Sequence, residues 1–99
     1  LEGDLAERNA GHANAMAGRL SAGLAALPGV TLVEPTDINE VFVRLPAGVL
    51  QGLAQGGFAV KGRPEDPGLV RLVTGWNSRA ADVDAFVAAA GSGVAAAAE

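Results

Sequence analysis

The stretch Gly68 to Trp76, GLVRLVTGW, most limits how this chain can fold. Leu69, Val70, Leu72 and Val73 surround a single arginine, Arg71, and a run this apolar reads as a strand covered on both faces. A guanidinium cannot shed its charge, so on such a strand it must reach water, a carboxylate or a ligand. One outcome is a structural ion pair with Asp37, Glu40 or the C-terminal helix. The other is capture of a free carboxylate, for which arginine's planar fork is suited.

With 99 residues the chain is one domain. At that size roughly two thirds of the unfolded surface leaves water, enough for a modest core. Seven basic residues stand against 11 acidic ones, a net charge of -4, and no run of Lys or Arg occurs, which argues against nucleic acid as a partner. Cysteine is absent, so neither a disulfide framework nor a thiolate metal site is available, and a cytoplasmic location fits. No apolar run approaches the ~20 residues of a membrane-spanning helix, and no basic-then-apolar leader opens the chain. Because the sequence begins at Leu1 and enters helix almost at once, we expect a longer polypeptide to contain it.

Residues from about Asp4 to Ala26 read as one helix, with Leu5, Asn9, His12, Met16, Leu20, Leu24 and Leu27 as its stripe. Gly11, Gly18 and Gly23 each weaken it by roughly 1 kcal/mol against alanine, so it depends on tertiary support. Pro28-Gly29 ends it. Val30 to Glu34 is a short strand, Pro35-Thr36-Asp37 a turn, and Glu40 to Leu45 a firmer strand with Val41, Val43 and Leu45 on one face. Pro46 opens a short helix that Gly56-Gly57 stops, and Phe58 to Lys61 reads as a third strand. Gly62 to Pro67 reads as an irregular loop before the Leu69 strand. Asn77 or Ser78 caps a last helix, with Asp82 and Asp84 near its positive end and Val83, Phe86, Val87 and Ala90 as its buried stripe. Gly91-Ser92-Gly93 reads as a break, leaving residues 91–99 as a Gly/Ala-rich tail beyond a domain of residues 1–90. The order is α-β-β-α-β-β-α. It implies an α+β, two-layer sandwich, with a mostly antiparallel sheet of three to four strands and helices on one face.

Most of the usual chemistry is missing. Ser21, Ser78 and Ser92 lie on a helix, at a cap and in a glycine break, with no G-x-S-x-G elbow. His12, the sole histidine, has no nearby nucleophile to activate, so we read it as packing or capping. One histidine and scattered carboxylates make no metal site, and Glu65-Asp66 reads as a solvated loop pair. Lys61, the only lysine, invites a Schiff-base reading, but no partner depresses its pKa and a surface role is the plainer one. Arg71 remains. Charge-assisted bonds from its fork contribute ~1.5–3 kcal/mol each, enough to orient a small amino acid.

Several stretches together resemble the C-terminal domain of low-specificity L-threonine aldolases, which are fold-type I pyridoxal-phosphate enzymes. They are Leu69-Val70-Arg71-Leu72-Val73-Thr74, Asn39 to Val43 (NEVFV), and His12-Ala13-Asn14-Ala15 with Arg19-Leu20 and Gly23-Leu24. Ala26-Leu27-Pro28-Gly29-Val30 and the Asp82-Val83-Asp84-Ala85-Phe86 helix complete the set, up to about Ala90. Two positions depart from the family pattern. Glu40 stands where the family has an apolar residue, and Ile38 replaces a threonine.

The resemblance implies that Arg71 grips the α-carboxylate of an amino-acid substrate, so that the bound pyridoxal 5'-phosphate can serve cleavage of threonine or allo-threonine to glycine and acetaldehyde. It implies that the cofactor-binding lysine and most cofactor contacts lie in a larger preceding domain, that this chain contributes no catalytic residue, and that the whole enzyme is a dimer or tetramer. Two rivals stay open: the small domain of another fold-type I enzyme, a β-eliminating lyase or aminotransferase, and a non-enzymatic α+β interaction module.

Overall fold

The computed structural model describes residues 2–33 and 39–98. Three helices and a four-stranded antiparallel sheet form an α+β fold in the order α-β-β-α-β-β-α. The turn expected at Pro35-Thr36-Asp37, the end of the first strand at Glu34, and Ile38 lie outside the described residues.

Helix α1 spans Glu2–Ala25. Its buried stripe is Ala13, Ala17, Leu20 and Leu24, made half of alanines that let the helix lie close on the sheet. The expected stripe started too early: Leu5 is 54% exposed and His12 is exposed. Gly29 ends this segment with φ 81, a left-handed conformation that glycine adopts without steric cost.

Strand β1, Thr31–Leu32, pairs with β2, Glu40–Arg44, and β2 pairs with the long strand β4, Asp66–Val73. Strand β3, Gly62–Arg63, closes the sheet in the order β1-β2-β4-β3. Two expectations change here. The expected strand at Phe58 to Lys61 is irregular, because the Phe58 amide donates back to the Leu53 carbonyl at 2.9 Å and finishes the turn after α2, Ala47–Gln55. The supposed loop from Gly62 to Pro67 is a tight hairpin turning at Pro64-Glu65. Pro67 is tolerated because it sits at a register irregularity, where the ladder to β3 is already broken.

The last helix, α3, spans Ala80–Ala98 and runs straight through Gly91-Ser92-Gly93. The expected break fails for a packing reason. A Cβ on Gly52 of α2 would lie 2.7 Å from the Gly93 backbone, so these glycines let two helices meet backbone to backbone. That contact outweighs the weak helix propensity of glycine. Nor does Ser78 cap α3: its hydroxyl turns back to accept from the Gly75 amide at 2.8 Å.

The core gathers Ala17, Leu20 and Leu24 of α1, Val41 and Val43 of β2, Leu45 after it, Val49 and Leu53 of α2, Val70 of β4, and Val83 and Ala90 of α3. Val41 stands opposite Leu72 and Val43 opposite Val70, so one sheet face carries the core. The other face carries Glu40, Phe42 and Arg44 against Val73, Arg71 and Leu69. Among the described residues no helix covers it. Strand β4 is therefore covered on one face, not two, and Val73 is left 56% exposed. No described helix is long and apolar enough to cross a membrane.

Candidate functional site

Arg71 stands on the uncovered sheet face, directly across the ladder from Phe42. Glu40 is on the same face, opposite Val73, so it neighbours Arg71 on the diagonal, within reach of long side chains. The Arg71 Nε–H donates to Glu40 Oε1 at 3.1 Å, and Nη2 donates to the same oxygen. Among the described residues considered as structural partners, Glu40 is thus the one engaged; Asp37 lies outside them. The pair is not sealed in: the Arg71 side chain is 59% exposed and that of Glu40 24%.

Beside this pair lies a cleft of about 330 Å³, lined by Phe42 and Leu69 beneath and by Lys61, Arg63 and Arg71 around. Strand β4 supplies Arg71 and Leu69, β2 supplies Phe42, β3 supplies Arg63, and Lys61 lies just before β3. Arg44, at the end of β2, is tied to Asp66 by a 2.9 Å hydrogen bond from Nη1. That bond holds the Asp66 carboxyl below the usual carboxylate range, with burial opposing it and the charges of Arg44 and Arg63 assisting. Glu40 and Asp66 are both engaged, and neither lines the cleft. On a chain of net charge -4, this opening is a cationic spot over an apolar floor.

The other residues considered from sequence serve the fold. His12 Nε2 donates to the Ser78 carbonyl at 2.5 Å, tying α1 to the turn before α3. Ser21 and Ser92 donate to the Gly18 and Ala88 carbonyls of their own helices. Glu65 is exposed at the hairpin tip, while its neighbour Asp66 is drawn into the Arg44 pair. Among the described residues, no group of three or more His, Asp or Glu side chains could hold a metal ion. A second hollow of about 360 Å³ lies between α1, α3 and the end of β4, but Asp82 is its one charged lining residue, so it repels a carboxylate.

Phe42, Lys61 and Arg63 were not singled out as a group in the sequence. The alternation in β2 and β4 could have placed Phe42 beside Arg71. The hairpin that brings Lys61 and Arg63 across carries no comparable signal.

A solved structure of Leishmania major threonine aldolase is similar to this chain, with a TM-score of 0.69 and 28% sequence identity over 84% of this chain and 25% of that one. The fold is threonine aldolase-like. The chain spans about a quarter of the length of that protein. No protein-family model and no curated protein matches the chain. Pyridoxal 5'-phosphate is the cofactor that the sequence resemblance implies for a whole enzyme. The described residues do not make a site for it: the cleft has cations and an apolar floor but no carboxylate lining it to face a pyridinium nitrogen. What the donor set does fit is a carboxylate.

Proposed function

We propose that this chain is the small, C-terminal domain of a pyridoxal-phosphate-dependent threonine aldolase of the low-specificity type, and that Arg71 receives the α-carboxylate of the amino-acid substrate. The observation that carries the reading is the position of Arg71, on an uncovered face and at the rim of a cleft of the size that small ligands occupy. Its bond to Glu40 is the in-chain ion pair that stood as the structural alternative, and a substrate carboxylate has to take that partner's place. The similarity to the Leishmania threonine aldolase supports the reaction class.

In this reading the cofactor is bound by a larger domain of the same polypeptide and supplies the electron sink for cleavage of the Cα–Cβ bond of threonine or allo-threonine, giving glycine and acetaldehyde. The small domain binds and orients. Arg71 fixes the carboxylate, and the apolar floor of Phe42 and Leu69 limits how the ligand can lie. The uncovered sheet face is where the larger domain closes the cleft from water. The complete enzyme works in the cytoplasm as a dimer or tetramer.

The test is made in the complete enzyme. Arg71→Ala raises KM for threonine and lowers kcat together, with kcat/KM falling on the order of 10²-fold, the cost of misplacing a substrate by about an ångström. Unchanged kinetics would leave Arg71 as the structural partner of Glu40 and end the proposal. The 99-residue chain alone, given pyridoxal phosphate, turns over no allo-threonine.

A further inference from the structure

We infer that Glu40 is a built-in competitor for the Arg71 guanidinium, which the substrate carboxylate has to displace, and that it thereby sets substrate affinity. This rests on the reading of Arg71 as the carboxylate site. Glu40 Oε1 accepts from both Nε and Nη2 of Arg71, so it takes the donors that a substrate carboxylate would use. An incoming carboxylate and Glu40 cannot both hold them, and like charges brought together on one guanidinium repel.

The surroundings allow exchange. The pair is partly open to water, and exposed ion pairs contribute little net stability, so releasing Glu40 costs little. Among the described residues, the nearby carboxylate Asp66 is held by Arg44. With Glu40 neutralising Arg71, Lys61 and Arg63 keep the cleft cationic, so an anion is still drawn to it. Glu40 also occupies a register position, opposite Val73, from which its side chain need not cross the cleft to reach Arg71. It can therefore swing aside without clearing the floor.

The experiment uses the complete enzyme with L-threonine as substrate and acetate as a competing carboxylate. In Glu40→Gln, KM for threonine and the inhibition constant of acetate both fall, by about two- to five-fold, the factor that an exposed pair of this kind supports. The turnover number is unchanged, since Glu40 acts before the reacting atoms are engaged. Glu40→Asp keeps the charge but shortens the reach, and its KM lies between those of Glu40→Gln and the parent. An unchanged or raised KM in Glu40→Gln, or an acetate constant that does not move with it, overturns the inference. The two readings fail separately. If Arg71→Ala leaves KM untouched, the carboxylate site itself is wrong. If Arg71→Ala is damaging while Glu40→Gln is neutral, only the competition is wrong.

Discussion

Gly93 of α3 rests on the backbone of Gly48 and Val49 of α2 so closely that a Cβ would overlap the Gly48 carbonyl and lie 2.9 Å from the Val49 Cα. Both neighbours are backbone, with no flexible side chain that could move away. Gly93→Ala gains roughly 1 kcal/mol of helix propensity, but overpacking a tight contact costs about 1–3 kcal/mol. The expected net result is destabilisation. Gly18→Ala is the opposite case. Gly18 lies on an exposed side of α1 with nothing within 4 Å of the added carbon, so that variant is stabilised by up to about 1 kcal/mol. Urea denaturation of the two variants beside the parent checks the pair, and equal effects would contradict the packing argument.

Thr74 is a polar tie between sheet and helix. Its buried hydroxyl donates to the Ala13 carbonyl of α1 at 2.6 Å, while its backbone pairs with Asn39 on the neighbouring strand side. Thr74→Val keeps the shape and removes the donor, at an expected cost of about 1–2 kcal/mol. Thr74→Ser keeps the bond and loses only a methyl group, so it falls between the two. A melting order of parent, Ser, Val is expected, and Val melting with or above the parent would show the bond to be idle.

Two carboxyls make the fold acid-sensitive. Hydrogen bonds from Arg19 to Asp84 and from Arg44 to Asp66 hold both carboxyls below their ordinary values. A pKa lower in the folded than in the unfolded chain adds stability above the unfolded value, near 3.9, and that stability is lost as pH falls through the folded value. Stability is therefore expected to decline on the acid side of about pH 4. The decline is shallower in Asp84→Asn and Asp66→Asn, whose amides cannot titrate. Denaturation midpoints measured across the acid range check this, and variants with the parent's slope would remove these pairs from the account.

The architecture was legible where one signal dominated. Proline and glycine punctuation at Pro28-Gly29 and Gly56-Gly57 marked real helix ends, and the alternation of Val41, Val43 and Leu45 marked the core face of β2. Two of the misreadings share a cause: local pattern lost to a partner that the sequence does not display. Gly91-Ser92-Gly93 reads as a break until α2 is laid against it. The apolar run around Arg71 reads as doubly covered until the helices are seen to take one face only, leaving Leu69 and Val73 with Arg71 on the other. Arg71 stood out as the residue needing an answer, and Glu40 was among the named partners. The grouping of Phe42, Lys61 and Arg63 beside it depends on sheet register and on a hairpin read as a loop, so it was hidden.

Arg71→Lys separates charge from shape at the proposed carboxylate site. In the parent, Nε and Nη2 converge on one oxygen, a geometry that belongs to the planar guanidinium. A lysine ammonium keeps the positive charge but offers rotatable donors from a single nitrogen on a flexible stem. If Arg71 only balanced Glu40, an exposed lysine would do nearly as well, because such pairs depend weakly on geometry. If it aligns a substrate, the fork is needed and the charge alone is not enough. In the complete enzyme Arg71→Lys is thus expected to lose kcat/KM for threonine nearly as severely as Arg71→Ala while its melting temperature stays close to the parent's. A lysine variant with near-parent kinetics would mean that charge suffices and that the orientation argument fails.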